Sequence, residues 1–432
     1  MKKFFFIILS SIFLFSNVCA DTFRAALKKA YKNNSELNAE RENIIISEQE
    51  LKISMSSYLP TITLEGSKSQ ESTDKLTNRD GSNATIVDAD TKTRSVSISQ
   101  TIFDFGRGAD LSKSKIGINL AKAKLLKKEQ DILYKTVEAY TGLISANEKL
   151  EINRANVELL NRQVETDRIR LERGQITLSD VSQSESSLAG AEASFIQAQN
   201  DLLTSKLNYE NIIGSLNNAQ SLDKNSIVNY PIPQSLDSAL ELSKKSNPDL
   251  IMSEIEYEQS QKDTSIARSE LVPTAKLSLE KSYSDDLSST IDEREKETLK
   301  ATVTWPFYSG GKNLASLNKN KSLENRSRLT LDSQVKQNQT NVASAWSNYQ
   351  SNKSLLNSVQ LQVRAAEIAN EGITAEYNSG SSGRTTFEVI QSNSLLLNAQ
   401  ISLADSQRNY ILSEFNLLKS IGLLNSDYLK LR

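Results

Sequence analysis

Small or apolar residues at Leu188, Ala191, Phe195, Ala198, Leu202, Ser205, Tyr209 and Ile212 follow one another by steps of three and four. That spacing lays one continuous stripe along a helix and seats it against a second helix as a coiled-coil seam. The same rhythm runs through Leu126, Leu133, Val137, Tyr140 and Ile144, then Val157, Leu160 and Val164, in a stretch without proline from Ala109 to Arg173. At 1.5 Å per residue such a helix is about 100 Å long, far beyond what a globular domain needs. Gly174-Gln175-Ile176-Thr177-Leu178-Ser179-Asp180 lies between the two seams, so the pair predicts one long antiparallel hairpin.

Elsewhere the period changes to two. Pro60 is followed by Thr61 to Gly66, and Val96, Ile98 and Ile102 alternate with Ser95, Ser97, Ser99 and Thr101. After Pro273, Ala275, Leu277 and Leu279 share one side, and Leu299, Ala301, Val303 and Trp305 alternate with Lys300, Thr302 and Thr304. These runs predict two strand pairs with one apolar and one polar face. Strands near ten residues with Phe103, Tyr283, Trp305 and Phe307 at their ends fit a membrane-crossing barrel with a wet lumen, and a small soluble sheet is the alternative. The polar stretches 67–93 and 284–297 read as external loops. Four strands are too few to enclose a lumen, so a barrel requires several copies of the chain.

The chain is written twice. Residues 180–217 align without a gap on 388–425, with 14 identities in 38 positions. Ala26, Leu27, Asn34, Leu37 and Pro60 recur as Ala239, Leu240, Asn247, Leu250 and Pro273. The predicted organisation is a leader over 1–20, then two structural repeats. The first, 21–228, holds a helix, a strand pair over 61–103 and a hairpin over 109–217; the second, 229–432, holds a helix, a strand pair over 274–307 and a hairpin over 311–425. The fold class is mainly α with a small β part. Pro60, Gly106, Pro273, Pro306, Gly310 and Gly311 stand where strands meet helices and read as the swivels between them.

Composition narrows the chemistry. Lys2, Lys3, the apolar run to Phe15 and Val18-Cys19-Ala20 have the form of an export signal, too short to span a bilayer; acylation of Cys19 is the lesser alternative. Cys19 is the single cysteine and histidine is absent, so disulfides, the usual nucleophile–base pairs and zinc sites are excluded. Loss of Lys2 and Lys3 takes the net charge from −2 to −4, which speaks against general nucleic-acid binding. Gly106-Arg107-Gly108 lacks the third glycine of a dinucleotide fingerprint, and the acids of 285–297 lack the spacing of a calcium loop. Lysines 122, 124, 127 and 128 read as a solvated face. No catalytic residue, cofactor or metal site is expected.

With helix, strand pair and long hairpin in duplicated order, Leu59-Pro60 and Val272-Pro273 leading into the strands, and Phe307-Tyr308-Ser309-Gly310-Gly311 leading out, the mature chain resembles the TolC-like outer-membrane efflux family. That resemblance implies a homotrimer whose twelve strands form one outer-membrane β-barrel, continued by a twelve-helix periplasmic α-barrel. It implies as partners a periplasmic adaptor (membrane-fusion) protein and an inner-membrane transporter, ABC or proton-driven, and a duct for efflux or type I secretion. Choice of cargo then falls to the pump. The family closes its periplasmic end with charges and hydrogen bonds at the hairpin turns. Carried over, Ser179 and Asp180 match the first-hairpin pair, Arg384 and Glu388 the second-hairpin pair, and Tyr377 the gate tyrosine. Glu388 stands where the family has Asp, and the segment between Tyr377 and Arg384 is two residues longer. On the residues alone, Thr177-x-x-Asp180 and Thr385-x-x-Glu388 are also capping boxes, so the acids have a structural as well as a gating reading. A periplasmic coiled-coil adaptor is the rival, but adaptors of that kind carry one hairpin in a β-domain rather than two full copies. An enzyme working through carboxylates is the remaining rival.

Overall fold

A computed structural model describes residues 22–72, 75, 77–82, 89–216, 222, 224–227, 230–288, 291–379 and 383–431. The expected leader over 1–20, with Cys19, lies outside them. The chain divides into two compact units, one from Met1–Asn38, Lys128–Ser243 and Asn341–Arg432, the other from Ala39–Lys127 and Lys244–Thr340. Each unit draws on both sequence repeats.

The first unit is helical. It contains α1 (Phe23–Asn33), most of α3 (Gly106–Glu172), α4 (Leu178–Ile213), most of α5 (Leu236–Ser246), the later half of α7 (Lys312–Ser379) and α8 (Thr386–Ile421). Helix α3 runs 67 residues and α7 runs 68 without a break. Every position of the 188–212 seam is buried or half-buried, as the spacing requires. Where α1 and the chain's tail pack alongside, the buried stripe widens: Ile132, Leu133, Thr136, Val137, Ala139 and Tyr140 are all inside. Phe23 docks edge-on against Tyr140 and Phe415 at 5.2 and 5.5 Å, a geometry favoured by the ring quadrupoles. The equivalent core of the second repeat gathers Ala239, Val342, Ala345, Leu417 and Ile421.

The recurring asparagines now have a cause. Asn34 accepts the Leu37 N–H at 3.2 Å and opens α2 (Ser35–Ser56). Asn247 accepts from Asp249 and Leu250 and opens α6 (Pro248–Ser269), with Pro248 in the first turn where it displaces no hydrogen bond.

The second unit carries the sheet: β1 (Thr61–Glu71), β2 (Ala89–Phe103), β3 (Thr274–Ser288) and β4 (Ile291–Thr304), antiparallel in the order β1-β2-β3-β4. Register fixes its faces. Ile62, Ile98, Leu279 and Leu299 form one row, with Leu64 and Val96 in the next; Thr61, Ser99, Ser278 and Lys300 form a row on the opposite face. The strands are longer than the alternation suggested. Residues 67–71, 89–93, 284–288 and 291–297, read as external loops, are strand. Pairing, not apolar burial, holds them there, with diagonal ion pairs between Lys281 and Glu295 at 2.6 Å and between Lys68 and Asp90 at 2.9 Å. The lysine run on α3 also departs from a purely solvated face, since Lys127 bonds Asp249 and Lys128 bonds Glu36.

The strand–helix junctions lie in the same unit. Pro60 and Pro273 each precede the first residue of a strand, following turns closed by Leu59 N–H to Ser56 and Val272 N–H to Ser269. Gly106 begins α3, and its N–H is held by the Asp104 carboxylate at 2.7 Å. A Cβ there would meet Ser269 Oγ at 2.5 Å, so a side chain at this junction would have to displace the Ser269 hydroxyl. Its counterpart differs: Gly310 and Gly311 have φ of 63° and 82°, and there the requirement is the left-handed backbone. Pro306 sits between Trp305 and Phe307, whose rings meet edge-on at 5.4 Å. No described helix is long and apolar enough to cross a membrane.

Candidate functional site: the hairpin tips

Both hairpin turns are built on the same local logic. Thr177 caps α4 while the Asp180 carboxylate accepts from the Thr177 N–H and hydroxyl, each at 2.8 Å. Thr385 caps α8 while Glu388 accepts from the Thr385 N–H at 2.8 Å and its hydroxyl at 3.1 Å. Four orphan donors at a helix start explain why an acid is wanted there. Those hydrogen bonds hold both carboxyls below their ordinary range, led in each case by the threonine backbone N–H. Arg384 adds a fork, Nε to Glu376 at 2.7 Å and Nη1 to Glu388 at 2.9 Å. It ties the end of α7 to the start of α8. Ser179 lies in the first turn of α4, exposed.

Tyr377 is placed differently from those exposed or half-buried residues. It is buried, donates to Asp167 at 2.8 Å, and accepts from Thr386 at 2.9 Å. Asp167 is wholly buried and also accepts from Gln163 at 2.9 Å and Ser184 at 2.5 Å. The Arg170 guanidinium lies 4.1 Å above the Tyr377 ring, inside cation–π range. One carboxylate thus collects donors from α3, α4 and α7, and Tyr377 extends the link to α8. Burial pushes the Tyr377 phenol up, and the neighbouring carboxylate adds to it, so the phenol stays a donor. Sequence reasoning passed over Asp167. The signal was present, because the seam Val157, Leu160, Val164 steps next to 167, and a charged residue on a seam marks a specific polar layer.

A second polar layer sits in the other hairpin. Asn370 on α7 donates to Asn393 on α8 at 2.7 Å, and both are buried. Thr374 donates to Asn370 at 3.0 Å. Near the tips, polar layers thus interrupt the small-residue seams and join the helices by hydrogen bonds. Among the described residues, no cluster of acids, histidines or cysteines could hold a metal.

The sequence profile of the family described as "Outer membrane efflux protein" matches residues 26–215 and again 239–423. The chain belongs to that family. It is an outer-membrane protein and an export channel by descent, and the double match restates its duplication. It is 26% identical over 415 residues to the outer membrane efflux protein BepC of Brucella suis biovar 1, covering 96% of this chain and 88% of the relative. It is 23% identical over 412 residues to the proteases secretion protein PrtF of Dickeya chrysanthemi, covering 93% and 88%. Among solved structures, the outer membrane channel CmeC of Campylobacter jejuni has the same fold, with a TM-score of 0.79 at 16% identity over 93% of this chain and 85% of that one. Membership in a transport family, with one efflux and one secretion relative, favours the channel over the adaptor reading.

Proposed function

We propose that this outer membrane efflux protein works as a homotrimer, with twelve strands closing one β-barrel and twelve helices forming a periplasmic tunnel whose hairpin tips are its closable end. The observation that carries assembly from several copies is the sheet, and the number three follows the family resemblance. Among the described residues β1 and β4 are both edges, each with a row of backbone groups lacking a strand partner, and one face exposes Leu299 at 70% and Val303 at 71% while the other is Ser, Thr and charge. An open edge of that length requires pairing, the apolar face requires lipid and the polar face requires water. The repeats then fall at 21–228 and 229–432, each contributing two strands and one hairpin.

Closure at the tips rests on two sets of groups. Asp180, Ser179, Arg384 and Glu388 lie on the exposed turns, where Arg384 has guanidinium donors beyond the two already used and can reach a neighbouring copy. Tyr377 and Asp167 bind the first hairpin to the second within one copy, so opening must separate them. Gly106, Gly310, Gly311, Pro60, Pro273 and Pro306 act as the swivels between barrel and tunnel. A periplasmic adaptor and an inner-membrane transporter, ABC or proton-driven, supply the docking contacts and the energy, and the chain itself performs no catalysis. The mature protein in detergent, examined by native mass spectrometry, is expected as a trimer. A stable monomer in a detergent that preserves the sheet would overturn this reading. Cysteine at Gln175, on the first tip, is expected to crosslink to the adaptor in cells; crosslinking confined to residues of the sheet would contradict the docking.

A further inference from the structure

Away from the tips, in the helical unit, α7, α8 and the segment before α5 enclose an open cleft of about 390 Å³. Its walls are aromatic. Trp346 and Tyr349 come from α7, Tyr410 from α8 and Tyr230 from the connecting segment, with the Tyr349 and Tyr410 rings stacked at 5.8 Å. Glu414 also lines it, only 3% exposed. One of its oxygens accepts the Tyr230 N–H at 3.2 Å, and it forms no salt bridge among the described residues. Lys353, one turn beyond Tyr349 on α7, is exposed and stands at the rim.

A carboxylate taken out of water is costly unless a positive partner reaches it. Burial accordingly pushes the Glu414 carboxyl up from its ordinary range. Aromatic faces present negative quadrupole to whatever enters, and attract cations most where water is thin. The Tyr230 N–H needs an acceptor at 414, but a neutral amide would serve it, so that bond does not account for a carboxylate there.

We infer that this cleft is a binding site for an organic cation, an alkylammonium or guanidinium group held between the Trp346 and Tyr410 rings with its charge on Glu414. Lys353 is the intramolecular competitor at the mouth. The site admits a small free cation or the end of a basic side chain, and the two sources are separable by size.

The chain has two tryptophans, so Trp305→Phe leaves Trp346 as the reporter in the full-length protein. Its fluorescence is titrated with ethylguanidinium chloride, with sodium chloride at matched ionic strength, and with a short arginine-rich peptide. Ethylguanidinium is expected to give a saturable change with a Kd on the order of millimolar, as expected for a cation held by one carboxylate and aromatic faces, and sodium chloride none. Glu414→Gln, which keeps an acceptor for the Tyr230 N–H, should weaken binding by about tenfold or more, and Lys353→Gln should tighten it a few-fold. Saturation by the peptide but not the small cation assigns the site to a protein side chain; the reverse assigns it to a free solute. A response equal to that of sodium chloride, or one unchanged in Glu414→Gln with unaltered near-UV circular dichroism, overturns the inference. None of these readouts depends on the channel or on the trimer.

Discussion

Asp167 occupies the next step of the Val157, Leu160, Val164 seam, and its one carboxylate gathers donors from three helices. A buried carboxylate with donors from Tyr377, Ser184 and Gln163 is stable only while all are present, since removing one leaves a charge under-solvated in a dry seam. Tyr377→Phe is therefore expected to cost about 1.5–3 kcal/mol at the junction of the two hairpins. Hydrogen exchange should show it as faster opening of α7 and α8 near the tip, with α1 and its core unchanged; uniform protection would contradict the link. The caps respond to pH in a definite direction. Asp180 and Glu388 have folded pKa values lowered by their hydrogen bonds, so their contribution is complete above the unfolded values near 4 and is lost as pH falls through the folded ones. A spin label at Gln175 should gain mobility below about pH 4 and show none of this change between pH 6 and 8.

Between elements, the polar layers set register at a cost in stability. Asn370→Leu alone leaves Asn393 buried without its partner and should destabilise the second hairpin by about 1–3 kcal/mol. The double change Asn370→Leu, Asn393→Leu should recover most of that loss, because two apolar groups facing each other need no partner; additive losses would show that the pair is not coupled. The helical architecture was legible because seam and cap follow local rules: steps of three and four predicted which positions of 188–212 are inside, and Thr-x-x-acid predicted both boxes. The strands were legible only over their apolar half. From 284 to 297 the charges destroy the period of two, and what makes 284–288 and 291–297 strand, the pairing of Ser284 with Arg294 and Asp285 with Glu293 beside the Lys281–Glu295 ion pair, lies between chain segments. Asp167 was missed for the opposite reason, since following the apolar residues along a seam passes over the polar one that occupies its next step.

For the whole molecule, the two sequence copies and the two compact units divide the chain differently, and this follows from helices as long as α3 and α7, which carry each repeat through both units. Among the described residues the sheet has two unpaired edges and exposed leucines on one face, and the proposed trimer is what would cover them. The decisive measurement is single-channel conductance of the purified mature protein in a planar lipid bilayer, beside the variants Tyr377→Phe and Asp180→Ala with Arg384→Ala. The account predicts discrete channels in all three, small in the wild type and larger in both variants. Reproducible absence of any channel from folded protein would contradict it.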